Sequence, residues 1–190
     1  MCYNIVKYQK ILEKSLKPKR YIHSIGVMYT AQNLAMRYNI SLEKAGIAGI
    51  LHDCAKEMDE DELFKFCKKK DIEITNDEIM SPSLLHSKVG AYIAKEKYEI
   101  TDDDIINAIR YHTTGHADMS MLEKIIYIAD YIEPNRKIIP GLDEVRKIVY
   151  IDIDKACRIV LENTINYLKE SRKHIDNNSI DAYNYYTRSW

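Results

Sequence analysis

The sequence predicts an all-α protein, on three observations. Apolar residues recur at three- and four-residue spacing along nearly the whole chain. No segment alternates apolar and polar convincingly with the period of a strand. Glycine and proline number only 6 and 4 in 190 residues, few for this length.

The elements follow in order. Ile5, Tyr8, Ile11, Leu12 and Leu16 share one face of a first helix. Pro18, with its fixed φ and no N–H to lose, suits the opening of a second helix that runs to about Tyr38. Ser41 caps a third, with Glu43 in its acidic first turn, to about Cys54. Asp59 with Glu62 reads as a capping box for a short fourth helix through Cys67. Lys70 to Pro82 is polar and interrupted by proline, which predicts a long connection. Ser83 starts a helix through about Tyr98. Thr101 followed by Asp104 caps the next, which ends near His112 and is broken by Gly115. Ser120 with Glu123 is a full capping box, and Pro134 lies just past that helix's end. Pro140–Gly141 separates it from Leu142–Tyr150. Asp152 opens a long helix through Ser171 with a stripe of Ala156, Ile159, Val160, Asn163, Thr164, Tyr167 and Leu168. In the tail, His174 to Trp190, the spacing of Tyr183, Tyr186 and Trp190 would dock a last short helix.

Composition narrows the function. Lys and Arg total 28 against 29 Asp and Glu, a net charge of −1. Without a broad positive field, non-specific nucleic-acid binding is not the expected role. Cys2, Cys54, Cys67 and Cys157 form no CxxC pair and read as small apolar residues in a reducing compartment. The most apolar stretches, Ala45–Leu51 and Ile125–Ala129, are far short of the ~20 residues of a membrane span. Met1–Lys14 lacks the apolar core of a signal peptide, so a cytoplasmic protein is expected. Surface Tyr and Ile residues leave a homodimer open.

The strongest chemical signal is the run Leu51, His52, Asp53, Cys54, Ala55, Lys56 at the end of an apolar helix. Neighbours on a helix point about 100° apart, so one metal takes both His52 and Asp53 only where the helix ends. His23, His86 and His112 each sit on an expected helix among apolar residues. Asp130 has apolar flanks on both sides, from Ile125 to Ile132. A carboxylate buried there costs several kcal/mol unless it is paired, for instance with Arg136, or binds a metal. Imidazoles with carboxylates suit first-row divalent ions such as Fe, Mn, Co or Zn. Six such ligands exceed the need of one open site and suit two ions with a bridging carboxylate.

The arrangement resembles the HD-domain superfamily of metal-dependent phosphohydrolases, whose pattern of His, His-Asp and a distant Asp matches His23, His52–Asp53 and Asp130. It is most similar to the YqeK-type branch, the symmetrical bis(5′-nucleosyl)-tetraphosphatases. The matching segments are Arg20 to Val27, Ala48 to Lys56, Leu85-His86, His112-Thr113-Thr114-Gly115 and Ala129 to Arg136. The resemblance, which covers about residues 20 to 136, implies an all-helical HD bundle around a dinuclear centre, commonly iron; the length of 190 residues predicts a single domain over 1–190. Its core spans about 18–136, with the helices of 141–190 packed on it. The resemblance also implies that His23, His52, Asp53 and Asp130 hold one ion, and Asp53, His86 and His112 the other. It further implies hydrolysis of dinucleoside tetraphosphates to two nucleoside diphosphates, by in-line attack of a hydroxide held between the ions.

A polyanionic substrate needs facing cations. Lys56, one turn past Asp53, is placed to stabilise charge on the attacked phosphorus. Arg20, one turn before His23, and Arg136, just after a helix end, suit phosphate binding. Thr113 and Thr114 are candidate hydroxyl donors beside His112. Lys17 and Lys19 carry no such signal. His116 is expected to be outer-sphere or exposed, and His174 exposed. Competing readings are another HD nucleotide phosphohydrolase, an HD-type di-iron oxygenase, and a nucleotide-sensing module without turnover.

Overall fold

Capping side chains set most of the helix starts in the computed structural model, which describes residues 3–188. Asn4 opens α1 (Ile5–Ser15) by accepting from the Lys7 amide. Proline stands in the first turn of α2 (Pro18–Arg37). Ser41 accepts from the Lys44 amide at the start of α3 (Leu42–Leu51). The Asp59/Glu62 box closes reciprocally on α4 (Glu60–Lys69), and the Ser120/Glu123 box on α8 (Met121–Ile132). Each box satisfies two amides that a helix N-terminus leaves orphaned. Asp152 caps α10 (Ile153–Glu170), which follows α9 (Leu142–Ile148).

Four boundaries differ from the sequence expectation. The connection from Lys70 to Pro82 contains a helix, α5 (Asn76–Met80), opened by a Thr75/Glu78 capping box. Its Glu78 is buried because Lys88 pairs with it at 2.7 Å. Ser83 lies in a 3₁₀ turn (Pro82–Leu84) that feeds α6 (Leu85–Lys97). Asp102, not Thr101, caps α7 (Asp103–Tyr111), and its carboxylate also pairs with Lys44 at 2.8 Å. The third helix stops at Leu51, so residues 52–57 run as successive turns rather than reaching Cys54 as helix.

The tail forms α11 (Asn177–Arg188), with Tyr186 buried and its hydroxyl accepting from the Met119 amide at 3.0 Å. Tyr183 packs partly on the core, while Cys2 and Trp190 lie outside the described residues.

No strand occurs among the described residues. The packing centres on α2, which lies along α3 and α8, and on α7, which touches α3, α6 and α8. α3 and α2 approach closely at Gly49, where a Cβ would meet the Met28 Cα at 2.8 Å. One apolar cluster runs from Tyr8 and Leu12 through Ile47, Ile50, Leu51, Ile109 and Ile126 to Leu161 and Tyr186. Each fully buried Ile or Leu contributes about 1.5–3 kcal/mol relative to exposure. A smaller cluster of Ala55, Leu63, Cys67, Leu85 and Val89 holds α4 against α6. No helix among the described residues is long and apolar enough to cross a membrane.

Candidate metal centre

Three of the four candidate histidines sit at helix ends. His52 follows the last turn of α3 and donates Nδ1–H to the Gly49 carbonyl at 2.7 Å. His112 follows α7 and donates to the Ile109 carbonyl at 2.7 Å. His86, in the first turn of α6, donates to the Ser83 carbonyl. His23 lies inside α2 and donates to the Glu133 carboxylate at 3.1 Å. These bonds assign one tautomer to all four rings: the proton is on Nδ1 and the lone pair on Nε2.

The four lone pairs converge. His23 Nε2 is 3.3 Å from His52 Nε2, and His86 Nε2 is 3.2 Å from His112 Nε2. Asp53 lies between the two pairs. Its Oδ2 is 3.3 Å from His52 and 3.7 Å from His23. Its Oδ1 is 3.3 Å from His86 and 3.5 Å from His112. Asp130 Oδ1 joins the first pair, 3.0 Å from His23 and 3.7 Å from His52. All six candidate ligands therefore meet in one place, although they come from segments as distant as residues 23 and 130.

Acceptors facing acceptors at these distances repel one another. The Oδ1 of Asp53 is buried without a hydrogen-bond donor. A buried polar group in that state is costly unless something positive is shared among the atoms around it. His23, His52 and Asp130, and again His52, Asp53 and His112, each present ligand atoms within 4.8 Å of one another. This donor set fits divalent cations. Cys54, next to the site, does not join it: burial pushes its thiol pKa up to about 12, and its Sγ–H points to the Gly90 carbonyl.

The electrostatics are uneven. Burial opposes charge on Asp53, but the imidazoles of His52, His112 and His86 hold its carboxyl well below the usual range. Asp130 is half-buried; desolvation opposes its charge, and His23 and Arg136 outweigh it and lower its pKa. Burial opposes charge on His23, yet the Asp130 and Glu133 carboxylates outweigh it and raise its pKa. Burial lowers His86 to about 4; its bond to Asp53 opposes this, and the Lys56 ammonium acts in the same direction as burial.

Residues 20–135, which contain all six candidate ligands, match the family model described as HD domain. A protein of Bacillus subtilis named "Bis(5'-nucleosyl)-tetraphosphatase, symmetrical" is 39% identical over 92% of either chain. The chain belongs to the HD-domain family. A Staphylococcus aureus protein of the same name is 38% identical over 98% of this chain and 96% of its own. A solved structure titled as a predicted HD superfamily hydrolase involved in NAD metabolism, from Clostridium acetobutylicum, superposes with a TM-score of 0.95 at 42% identity, covering all of both chains.

Beside the HD-domain cluster lies a cleft of about 840 Å³. Arg20 and Arg136 line it, and so do Lys17, Lys19 and Lys137, which sequence reasoning did not credit. Arg20 also holds Asp53 Oδ2 at 2.6 Å, and Arg136 holds Asp130 Oδ1 at 3.0 Å. Each guanidinium thus compensates a carboxylate of the cluster, buried Asp53 or half-buried Asp130, while facing the cleft. Arg136 additionally donates to the Asp130 carbonyl, and Arg146 to the Ile132 and Glu133 carbonyls. These bonds satisfy carbonyls left free at the end of α8.

Lys56 reaches the other end of the cluster, 3.2 Å from His86 Nε2, and burial lowers its pKa. The Thr113 hydroxyl lies 3.3 Å from His86 Nε2 and 3.2 Å from His112 Nε2. Thr114 is not brought in: its hydroxyl donates to the Gly115 carbonyl at 2.9 Å, and the residue is buried. Residues 112–114 form a turn after α7, and only the first threonine faces the cluster. His116 is neither a ligand nor free. It bonds Glu123 at 2.9 Å and lies 4.4 Å from the Tyr111 ring, which ties the turn to the start of α8. His174 is half-buried rather than exposed, because it binds Asp77 at 2.7 Å. Sequence reasoning missed Glu133, which is 1% exposed. A carboxylate just before Pro134 reads as surface, and nothing in the spacing signals its partner 110 residues away.

Proposed function

We propose that the protein hydrolyses dinucleoside tetraphosphates symmetrically, adding water across one P–O bond to release two nucleoside diphosphates. The single observation that carries this reading is Asp53: one of its oxygens faces each histidine pair, at the side of a cleft lined by five cationic residues. The names of the relatives at 38–39% identity support the same substrate.

In this reading His23, His52, Asp53 and Asp130 hold one divalent ion, and Asp53, His86 and His112 the other. Iron is the first choice, and Mn, Co or Zn suit the same donors. Bound divalent ions supply the positive charge that makes water nucleophilic near neutral pH and offsets charge on phosphoryl oxygens. The chain's own groups do the rest. The four Nδ1–H bonds keep the lone pairs aimed inward before any ligand arrives. Arg20 and Arg136 have N–H groups left over from their carboxylate partners, and these bind nonbridging phosphate oxygens. Lys56 stabilises charge that grows on the attacked phosphorus. The Thr113 hydroxyl is a further donor there. The nucleoside diphosphate leaves as a weakly basic anion, so no dedicated general acid is required. The reading takes the chain as a single cytoplasmic domain with a nucleotide substrate.

The test is to incubate metal-loaded protein with diadenosine tetraphosphate and to separate the products by chromatography. The expected product is adenosine diphosphate alone. A mixture of mono- and triphosphate would reject symmetric cleavage, and absence of turnover with tight binding would favour a sensing role.

A further inference from the structure

Glu133 is a carboxylate that the proposed reaction leaves without a role. It is 1% exposed, at the end of α8, and its two oxygens face different ways. Oε1 accepts from His23 Nδ1–H at 3.1 Å. Oε2 accepts from the Asn135 amide at 2.7 Å and from its side chain at 3.2 Å.

His23 needs this partner for a reason rooted in its position. The other three rings donate to a carbonyl three residues earlier, available because each sits at a helix end or in a first turn. In the interior of α2 the backbone carbonyls are engaged in the helix itself, so a ring there must find an acceptor elsewhere. The acceptor found is an anion. A carboxylate on the far nitrogen raises the basicity of an imidazole lone pair more than a neutral carbonyl does.

Room for it is made by Gly26, one turn from His23 on α2. A Cβ at that position would meet Glu133 Oε2 at 2.4 Å and Cδ at 3.3 Å. The opposite end of the cluster carries the reverse influence, with Lys56 3.2 Å from His86.

We propose that Glu133, seated against Gly26, is a positioning residue that makes His23 the strongest donor of the four and the divalent-ion site at His23, His52, Asp53 and Asp130 the tighter of two unequal sites. This rests on the reading of those side chains as ligands.

The experiment titrates purified protein with Mn²⁺ in competition with a chelator and reads dissociation step by step, without substrate. The variants are Glu133→Gln and Gly26→Ala. Gln keeps the shape, but its single carbonyl oxygen can serve His23 or Asn135 and not both. Gly26→Ala changes no polar group and favours helix, so it displaces Glu133 without weakening α2. Each variant should weaken the tighter step by about 10–100-fold and leave the weaker step within about threefold. The double variant should be no worse than the more damaged single one, because both remove the same contact.

Unchanged affinity at the tighter step in either variant overturns the inference. So does equal weakening of both steps with a lower melting temperature of the metal-free protein, which marks a merely structural role. If the unaltered protein binds no Mn²⁺, the ligand assignment fails and this inference with it. If it binds ions in two steps that ignore both variants, only the inference fails.

Discussion

At one end of the cluster His23 faces Asp130 at 3.0 Å and passes its Nδ1–H to a carboxylate; at the other, His86 stands 3.2 Å from the Lys56 ammonium and passes its Nδ1–H to a neutral carbonyl. The rings are chemically identical, and both are buried. Their basicities nevertheless move in opposite directions, His23 up and His86 down to about 4. Burial disfavours a charged imidazole at both places; at His23 the Asp130 and Glu133 carboxylates outweigh it, while at His86 the single bond to Asp53 does not, and the Lys56 ammonium adds to the burial. The first end is built to hold a cation firmly. The second presents a weaker donor beside the Lys56 ammonium, an arrangement suited to contact with an anionic substrate.

Asp53 is what the two ends share, and its removal should have the largest effect. Asp53→Ala takes an oxygen from both histidine pairs. Breaking a buried charged network of this kind costs about 3–5 kcal/mol. Metal content measured by atomic emission should fall to background, and hydrolysis with it. A variant that keeps its full metal complement would refute the shared carboxylate.

The next test separates the ends. His52→Ala should lose the ion at the Asp130 side, and His86→Ala the ion at the Lys56 side, so each retains about half of the metal. On a chelator series, the ion left in His86→Ala should be the more resistant one. The reverse order would show that the charges around His23 do not set affinity.

Lys56→Met sharpens the contrast with a smaller change. Loss of one stabilising cation predicts a fall in kcat of about 10²-fold. Removing the ammonium beside His86 should also make the ion at that end harder to strip. A Lys56→Met protein with normal kcat would move the transition-state charge elsewhere.

Local signals accounted for most of the fold and for every candidate ligand. The boxes at Asp59/Glu62 and Ser120/Glu123 are three-residue patterns, and the helices start where they say. Thr75/Glu78 is the same pattern, but its helix is a short α5 in a polar stretch, with too few apolar positions to show a period. Asp102 prevailed over Thr101 as a cap because it gains Lys44, a partner 58 residues away in sequence that no local pattern contains. The same limit applies at the site. Residue types and helix ends pointed to His52 and Asp53, whereas the Arg20 bond to Asp53, Glu133 beneath His23, and the lysines of the cleft exist only once α2 lies along α3 and α8.

The two adjacent threonines carry the smallest expected effect, and they test the second end at atomic scale. They are equivalent in the sequence, both next to His112. In the structure the Thr113 hydroxyl lies within 3.3 Å of both His86 and His112, while Thr114 turns its hydroxyl to the Gly115 carbonyl and accepts Ser179 at its own carbonyl. Thr113→Val should therefore lower kcat by several-fold, about what one neutral hydrogen bond of ~1 kcal/mol contributes. Thr114→Val loses a bond of similar worth from the fold alone, so it should lower the melting temperature by a few degrees and leave kcat within about twofold. Equal effects of the two on kcat would mean that the turn moves as a unit, and that its threonines are not distinguished by which one faces the imidazoles.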